Sequence, residues 1–182
     1  AGKPAVTLLH LGPGLANGLA NLHNARRAAT PIVNVVGDHA TYHLQYDALL
    51  TSDIVGFARP VSSWICESKS AGTVAGDAAR AVQAARAAPG GIATLILPAD
   101  TAWNEGGEVG ARLPVPARTA VAPDTLRAIA QTLRSREPAM LILSGQALCE
   151  AGLVAAHRVA HASGAKLRTP TQVSRMARGR GR

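Results

Sequence analysis

The sequence predicts an α/β fold in which parallel strands alternate with helices. Short apolar runs typical of buried strands alternate with longer stretches that have helical spacing. Gly and Pro residues punctuate these segments at the places where turns are expected. The composition, 47% apolar and 16% charged over 182 residues, is that of a chain that forms a hydrophobic core. Strand, helix and strand in succession imply parallel pairing with a right-handed crossover.

A strand–helix–strand unit opens the chain. Apolar runs at residues 5–10 and 32–36 predict the two strands, and residues 15–29 predict the helix between them. Gly and Pro at residues 12–14 predict a turn that separates the first strand from the helix. Residues 37–39 are predicted to form a loop at the carboxyl end of the second strand.

Further elements of the same kind follow along the chain. Residues 61–66 predict a short strand, residues 73–87 an Ala-rich helix, and residues 92–98 the clearest strand of the sequence. A stretch rich in Gly and Pro then lacks any period and predicts a linker before a second α/β unit. The predicted division is residues 1–104, a linker at 105–122, and residues 123–182.

The charge, the apolar runs and the cysteines indicate which binding partners and which cellular compartment to expect. The chain has 19 Lys and Arg against 11 Asp and Glu, but basic residues cluster only at 175–182, and just five residues are aromatic. Base-stacking platforms are therefore scarce, and we predict no nucleic-acid partner. No apolar run approaches the ~18 residues of a membrane span, so no membrane partner is predicted. Cys66 and Cys149 lie far apart, which favours a reducing cytoplasm.

The Gly-rich segment after the first strand has two interpretations from the residues alone. The pattern Gly12-x-Gly14-x-x-x-Gly18, with Asp38 at the end of the next strand, resembles a dinucleotide-binding unit. Pro13 argues against it, because it removes a backbone donor that a phosphate would bind. The other interpretation is a tight turn that only closes the strand–helix unit. Both remain open at this point.

Four segments, taken in order, resemble thiamine-diphosphate-dependent enzymes of the acetolactate synthase type. Those enzymes have stretches of the form GKPG-V…GPG-x-x-N, PLVVI-G, VDIVGITRPVTK and GPVLVDIPKD. The matching segments here are residues 2–17, 29–33, 52–61 and 89–99. Residues 138–145 and 164–166 resemble the central domain of the same enzymes. The order and spacing of the set make it more specific than any one match.

This resemblance implies an architecture and a set of cofactors. It implies part of a flavodoxin-like, parallel-sheet pyrimidine-binding domain, followed by part of a Rossmann-like central domain. The chain would then be an internal piece of a longer enzyme, with the family's activating Glu upstream and its metal and diphosphate site downstream. Thiamine diphosphate with Mg²⁺ is the implied cofactor, the Mg²⁺ ligands lie outside this chain, and FAD remains possible. No turnover is expected from this chain alone.

The resemblance also implies residues that bind the cofactor. Gly12, Pro13, Gly14 and Asn17 match the segment that lies beside the aminopyrimidine ring in the family. Asp38 belongs to the loop that faces the thiazolium and the substrate. We therefore expect these five residues to bind the cofactor.

Departures from the family pattern leave the substrate open and point to two histidines. Asp38 or His39 stands where acetolactate synthases have Gln, and Ser63 stands where they have the Lys of RPVTK. Decarboxylases of the family use histidines near the thiazolium. Since an unperturbed His titrates near neutral pH, His39 and His43 are the predicted catalytic residues.

The predicted function is part of a 2-keto-acid decarboxylase or carboligase that acts on a small 2-keto acid or diketone. The resemblance implies a homodimer or homotetramer for the whole enzyme. Two alternatives stay open: a stand-alone dinucleotide-binding module that uses Gly12, Gly14 and Asp38, and a non-catalytic remnant. His157 and His161 are spaced for a metal but have no third ligand in the sequence nearby, so a solvated helix face is favoured.

Overall fold

The computed structural model describes residues 3–178 and divides the chain into two compact units, Ala1–Pro116 and Ala117–Arg182. Residues 104–122, all of which are described, contain no helix or strand. Gly2 of the first matched segment and residues 179–182 of the Arg-rich tail lie outside the described residues. The predicted α/β class is confirmed, and each unit is described by itself.

The first unit is built on a four-stranded parallel sheet with the order β1-β2-β4-β3. Five helices and helical turns connect or follow the strands. The strands are β1 Ala5–His10, β2 Ile32–Asp38, β3 Trp64–Glu67 and β4 Ile92–Pro98. The helices are α1 Leu11–Arg27, a 3-10 helix Thr41–Tyr46, α2 Ile54–Ala58, α3 Ala71–Arg86 and α4 Ala99–Trp103.

Helices cover the two faces of this sheet unequally. On one face, α1 and α2 pack against β2 and β4, and Leu15, Val36 and Ile96 are almost fully buried there. On the other face, α3 packs its alanines against β4 and its neighbours. Val6 and Leu8 of the edge strand β1 stay 68% and 78% exposed on their side. The core therefore lies around β2 and β4.

A row of hydrogen-bonded polar side chains crosses the sheet on the face that α1 covers. The Thr7 hydroxyl donates to Asn34 Oδ1 over 2.8 Å, and Asn34 Nδ2 donates to the Thr94 hydroxyl over 3.2 Å. The hydroxyls of Thr94 and Ser62 lie 2.7 Å apart. These residues are aligned by the register that pairs Thr7 with Asn34 and Asn34 with Thr94. Because buried polar groups need partners, the row helps to fix that register.

The predicted turn at residues 12–14 is wrong, because these residues form the first turn of α1. Leu11 adopts a φ of 54°, which bends the chain directly from β1 into the helix. The first four N–H groups of a helix have no partner inside it, so the missing N–H of Pro13 costs nothing there. Glycine and proline in this segment therefore mark a helix start and not a break.

Other boundaries also differ from the predictions. Residues 37 and 38 were predicted as a loop but continue β2, where Gly37 pairs with Leu97 and Asp38 with Pro98. The short strand predicted at 61–66 begins later, at Trp64, and ends at Glu67. Residues 99–103, for which no helix was predicted, form α4 directly after β4. The boundaries of β2 and β3 are set by pairing with β4, which is distant from both in sequence.

The second unit follows the predicted order of helix, strand, helix and strand. Its elements are α5 Pro123–Arg134, β5 Met140–Ile142, a 3-10 helix Gly145–Leu148, α6 Glu150–Ser163 and β6 Lys166–Arg168. The strands β5 and β6 pair in parallel. Gly164 ends α6 with a φ of 75°, a conformation that glycine adopts at low cost.

Candidate functional site

The candidate site of the first unit lies at the carboxyl edge of its sheet. All four strands are parallel, so their carboxyl ends meet at this edge. It receives the start of α1 after His10, the 3-10 helix after Asp38, and α4 after Pro98. In open α/β sheets ligands bind at the carboxyl ends of the strands.

The two predicted catalytic histidines lie together just after β2. The ring centroids of His39 and His43 are 5.5 Å apart, and those of His43 and Tyr46 are 5.6 Å apart. The Nε2 atom of His39 is buried and has no hydrogen-bond partner among the described residues. A buried polar atom without a partner is costly, so a ligand atom or a water is expected to bind it.

Asp38 lies against this pair at the end of β2. Its Oδ1 accepts a hydrogen bond from the backbone N–H of His39 over 2.7 Å. Burial raises the pKa of the Asp38 carboxyl, the N–H and the ring of His39 lower it, and the charge of Glu67 raises it. Burial outweighs the hydrogen bond, so this carboxyl can hold a proton at a higher pH than an ordinary Asp.

A second carboxylate fixes the start of the 3-10 helix. Asp100 Oδ1 accepts from the backbone N–H of Thr41 over 3.0 Å, and Asp100 Oδ2 accepts from the Thr41 hydroxyl over 2.5 Å. The hydroxyl and then the N–H of Thr41 lower the pKa of Asp100, because both hydrogen bonds favour the charged carboxylate. Asp100 therefore acts as a fixed anion at this edge.

The residues predicted on α1 divide between the interior and the surface. Gly12 is buried, and a Cβ added to it would lie 2.1 Å from Ser52 Oγ and 2.2 Å from Ser52 Cβ. Pro13 and Asn17 are exposed and lie one helical turn apart, with Gly14 half-buried between them. Close packing against Ser52 thus accounts for Gly12, and the surface that a ligand can reach is formed by Pro13 and Asn17.

The structure brings the α1 group and the histidine group to neighbouring strand ends. His10, which precedes α1, pairs with Gly37, which precedes Asp38. Ser63, in contrast, lies at the amino edge of the sheet, where its N–H donates to the Ile92 carbonyl over 2.9 Å. The position of the family's Lys is therefore at the opposite edge from the candidate site.

Thr41, Glu67 and Asp100 were missed by the sequence interpretation. Glu67 is the last residue of β3, and Thr41 and Asp100 follow β2 and β4 at the same sheet edge. A search for polar residues at the ends of apolar strand runs would have found Glu67 and Asp100. The pairing of Thr41 with Asp100 depends on the strand order, in which β2 neighbours β4. That order is not visible in the local sequence.

Neither a metal cluster nor a spanning helix is found in the part of the chain that the structure describes. Residues 3–178 contain no group of three or more His, Cys, Asp or Glu that could hold a metal ion. His157 and His161 stack on α6 with ring centroids 6.2 Å apart, without such a third partner. Across the same residues no helix combines the length and the apolar character that a bilayer crossing requires.

Comparison with known proteins agrees with the geometry of the first unit. Residues 1–57 match the family model described as the thiamine pyrophosphate enzyme, N-terminal TPP binding domain. The chain is 51% identical over 181 residues to a proposed acetolactate synthase large subunit, IlvX, of Mycobacterium tuberculosis, covering 100% of this chain and 35% of that protein. The chain therefore carries part of the N-terminal TPP binding domain and resembles thiamine-diphosphate-dependent enzymes along its length.

Two further proteins show the same relationship. The acetolactate synthase large subunit IlvG of M. tuberculosis is 31% identical over 126 residues, which are 68% of this chain and 23% of IlvG. A proposed thiamin-diphosphate-dependent enzyme of Mycobacterium smegmatis superposes with a TM-score of 0.83 at 26% identity, over 96% of this chain and 34% of that structure.

The fold of a decarboxylase of known structure is also similar. The thiamine-diphosphate-dependent 4-hydroxybenzoylformate decarboxylase of Rhodococcus jostii RHA1 gives a TM-score of 0.76 at 19% identity, over 96% of this chain and 34% of that structure. At this identity the likeness concerns the fold alone. The chain spans about a third of the length of the first of these curated relatives, and less of IlvG.

Proposed function

We propose that this chain forms the pyrimidine-side wall of a thiamine-diphosphate site in an acetolactate-synthase-like decarboxylase or carboligase. The substrate class is a small 2-keto acid or diketone. The observation that carries the proposal is the buried, unpartnered Nε2 of His39 at the carboxyl edge of the sheet. Enzymes built on an open parallel sheet bind their ligands at this carboxyl edge.

The residues at the edge fit an aminopyrimidine ring. Such a ring carries both hydrogen-bond donors and acceptors, and the side-chain amide of Asn17 supplies both kinds of group. Pro13 offers an apolar surface one turn earlier on the same exposed helix face. His39 Nε2 needs one partner, and a ligand atom at the strand ends would provide it.

When bound, thiamine diphosphate supplies the carbanion chemistry on the substrate. The chain's own residues would orient the ring and move protons. His39 and His43 are the groups proposed to move protons, because an imidazole ring carries one nitrogen that can accept a proton and one that can donate it. The Asp38 carboxyl, whose pKa burial raises, would hold the backbone of His39 in place through the hydrogen bond that it accepts from the His39 N–H.

The metal, the diphosphate and any flavin are proposed to bind elsewhere in the whole enzyme. Residues 3–178 contain no group of three or more His, Cys, Asp or Glu that could hold a metal ion, which supports a metal site outside this chain. We further propose a homodimer or homotetramer in the cytoplasm, a location with which the free thiols of Cys66 and Cys149 agree. A part without the metal and diphosphate groups would bind the cofactor weakly and turn over nothing.

The test is a titration of this chain with thiamine diphosphate, followed by NMR of the backbone amides and histidine rings. Asn17→Ala should weaken binding by up to about tenfold, the worth of a typical hydrogen bond. Asn21→Ala is the matched control, since Asn21 is also exposed on α1, one turn further along. Equal affinity of both variants for thiamine diphosphate would contradict the proposed contact between Asn17 and the cofactor.

A titration with NAD separates this proposal from the dinucleotide alternative. That alternative expects NAD to raise the melting temperature, and Asp38→Ala to abolish the rise. Stabilisation by NAD together with no response to thiamine diphosphate would refute the proposed function.

A further inference from the structure

The 3-10 helix Thr41–Tyr46 is held in place by a residue outside it. None of its six residues is buried, so hydrophobic packing contributes little to its position. Its N-cap is Ala40, which has no side-chain group to offer to the first turn. The N–H groups at a helix start need acceptors, and here the acceptor comes from Asp100, 59 positions further along the chain.

Both oxygens of Asp100 bind Thr41. One accepts from the backbone N–H and the other from the side-chain hydroxyl, at 3.0 Å and 2.5 Å. The contact is possible because β2 and β4 are neighbours and Asp38 pairs with Pro98, which places the residues that follow them side by side. Two hydrogen bonds from one residue define its orientation as well as its position.

We propose that Asp100 is a positioning residue: through Thr41 it holds the 3-10 helix that carries His43, and so sets where the rings of His39 and His43 lie. His39 precedes the cap residue Ala40, and His43 is in the first turn of the helix, its N–H bonded to the Ala40 carbonyl over 2.8 Å. A shift of the helix start therefore moves one ring relative to the other. The hydrogen bonds that lower the pKa of Asp100 keep its carboxylate charged in this role.

The ligand part of this inference rests on the proposed function, whereas the geometric part does not. The first measurement is therefore the ring-proton chemical shifts of His39 and His43, which respond to the neighbouring aromatic rings at 5.5 Å and 5.6 Å. The second measurement is the affinity of the chain for thiamine diphosphate. The first needs no ligand.

Both partners of the contact, Asp100 and Thr41, are substituted, so that the test does not depend on a single variant. Asp100→Ala removes both acceptors, Asp100→Asn leaves one, and Thr41→Val removes only the hydroxyl donor. Thr41→Ser retains the N–H and the hydroxyl and should restore the wild-type spectrum. Asp53→Ala is the matched control, because Asp53 Oδ1 also caps a short helix, accepting from the Gly56 N–H over 2.7 Å.

We expect Asp100→Ala to move both histidine ring signals and to weaken thiamine diphosphate binding about tenfold. Asp100→Asn and Thr41→Val should lie between this variant and the wild type. Ring signals that stay unchanged in Asp100→Ala, or that move equally in Asp53→Ala, would overturn the positioning role. Ring signals that move in a chain that never binds thiamine diphosphate would support the positioning role and remove the proposed function.

Discussion

Replacing Gly12 with Ala tests whether this glycine serves the fold or a ligand. A Cβ at this position would lie 2.1 Å from Ser52 Oγ and 2.2 Å from Ser52 Cβ, with the ring of Phe57 at 3.4 Å. A Cβ atom next to the backbone has little freedom to move away. The substitution therefore forces α1 and the segment before α2 apart, and we expect it to destabilise the first unit.

The magnitude follows from two opposing effects. Overpacking of this kind costs about 1–3 kcal/mol, and Ala gains up to about 1 kcal/mol over Gly within a helix. The net expectation is a loss of about 1–2 kcal/mol for Gly12→Ala. At Gly14 an added Cβ meets His10 and Leu9 at 3.4 Å or more, an ordinary contact. Gly14→Ala should accordingly gain about 0.5–1 kcal/mol.

Thermal unfolding followed by tryptophan fluorescence measures this difference in the first unit alone. Both tryptophans, Trp64 and Trp103, belong to residues 1–116, so the second unit does not contribute to the signal. The two variants should differ by about 1.5–3 kcal/mol, which corresponds to about 3–12 °C in melting temperature for a chain of this size.

A double substitution identifies the contact responsible. Ser52→Gly removes both atoms that the new Cβ would meet, so Gly12→Ala should lose most of its cost in that background. The reasoning is refuted if Gly12→Ala stabilises the first unit as much as Gly14→Ala does. It is also refuted if Ser52→Gly leaves the cost unchanged.

Three other changes should alter stability or dynamics. Asn34→Ala should lower the free energy of unfolding by about 1–3 kcal/mol in a urea titration, because it removes the buried hydrogen-bond partner of Thr94 and of Thr7 in β1. Gly110→Ala would place a Cβ 2.6 Å from the Ala75 carbonyl oxygen, so trypsin should cleave the segment after α4 faster. Burial raises the pKa of Asp38, so its ionised form costs stability as the pH rises through that pKa. Asp38→Asn should therefore raise the melting temperature at pH 7, and the gain should vanish below the ordinary Asp range.

Each of these changes has an internal control. Asn21→Ala, at an exposed position of α1, should leave the urea midpoint within experimental error. Gly107→Ala should leave trypsin cleavage unchanged, since nothing lies within 4 Å of its added Cβ. For Asp38→Asn, a gain in melting temperature that persists at acid pH would show that charge is not its cause.

The strands and the longer helices were predictable because their signals are local. The runs at residues 5–10 and 92–98 coincide with β1 and β4. Continuous apolar residues are what a strand covered by helices on both faces requires, and β4 is such a strand. The start of α1 was not predictable from Gly and Pro alone. It depends on Leu11 entering the left-handed region and on Ser52 packing against Gly12, a contact across forty positions of sequence.

The candidate site was predictable only in part, for the same reason. The resemblance pointed to Asp38, His39 and His43, and these lie together at the end of β2. Asp100 supplies the contact that holds their segment, yet it lies beyond another strand, and nothing in the local sequence indicates its pairing with Thr41. Contacts between neighbouring strands that are distant in sequence follow from the sheet order, which the local pattern does not specify.

Within this short motif, the residue that serves packing, Gly12, differs from the residue proposed to bind the cofactor, Asn17. Gly12 and Gly18 face the protein, where an added Cβ would meet Ser52 or Leu9 within 3.0 Å, whereas Asn17 faces solvent. A substitution at Gly12 that abolishes cofactor binding would therefore not identify a ligand contact, because it also disturbs packing. Asn17→Ala changes the exposed face alone, and a loss of affinity without a loss of stability in that variant is the result that locates the ligand.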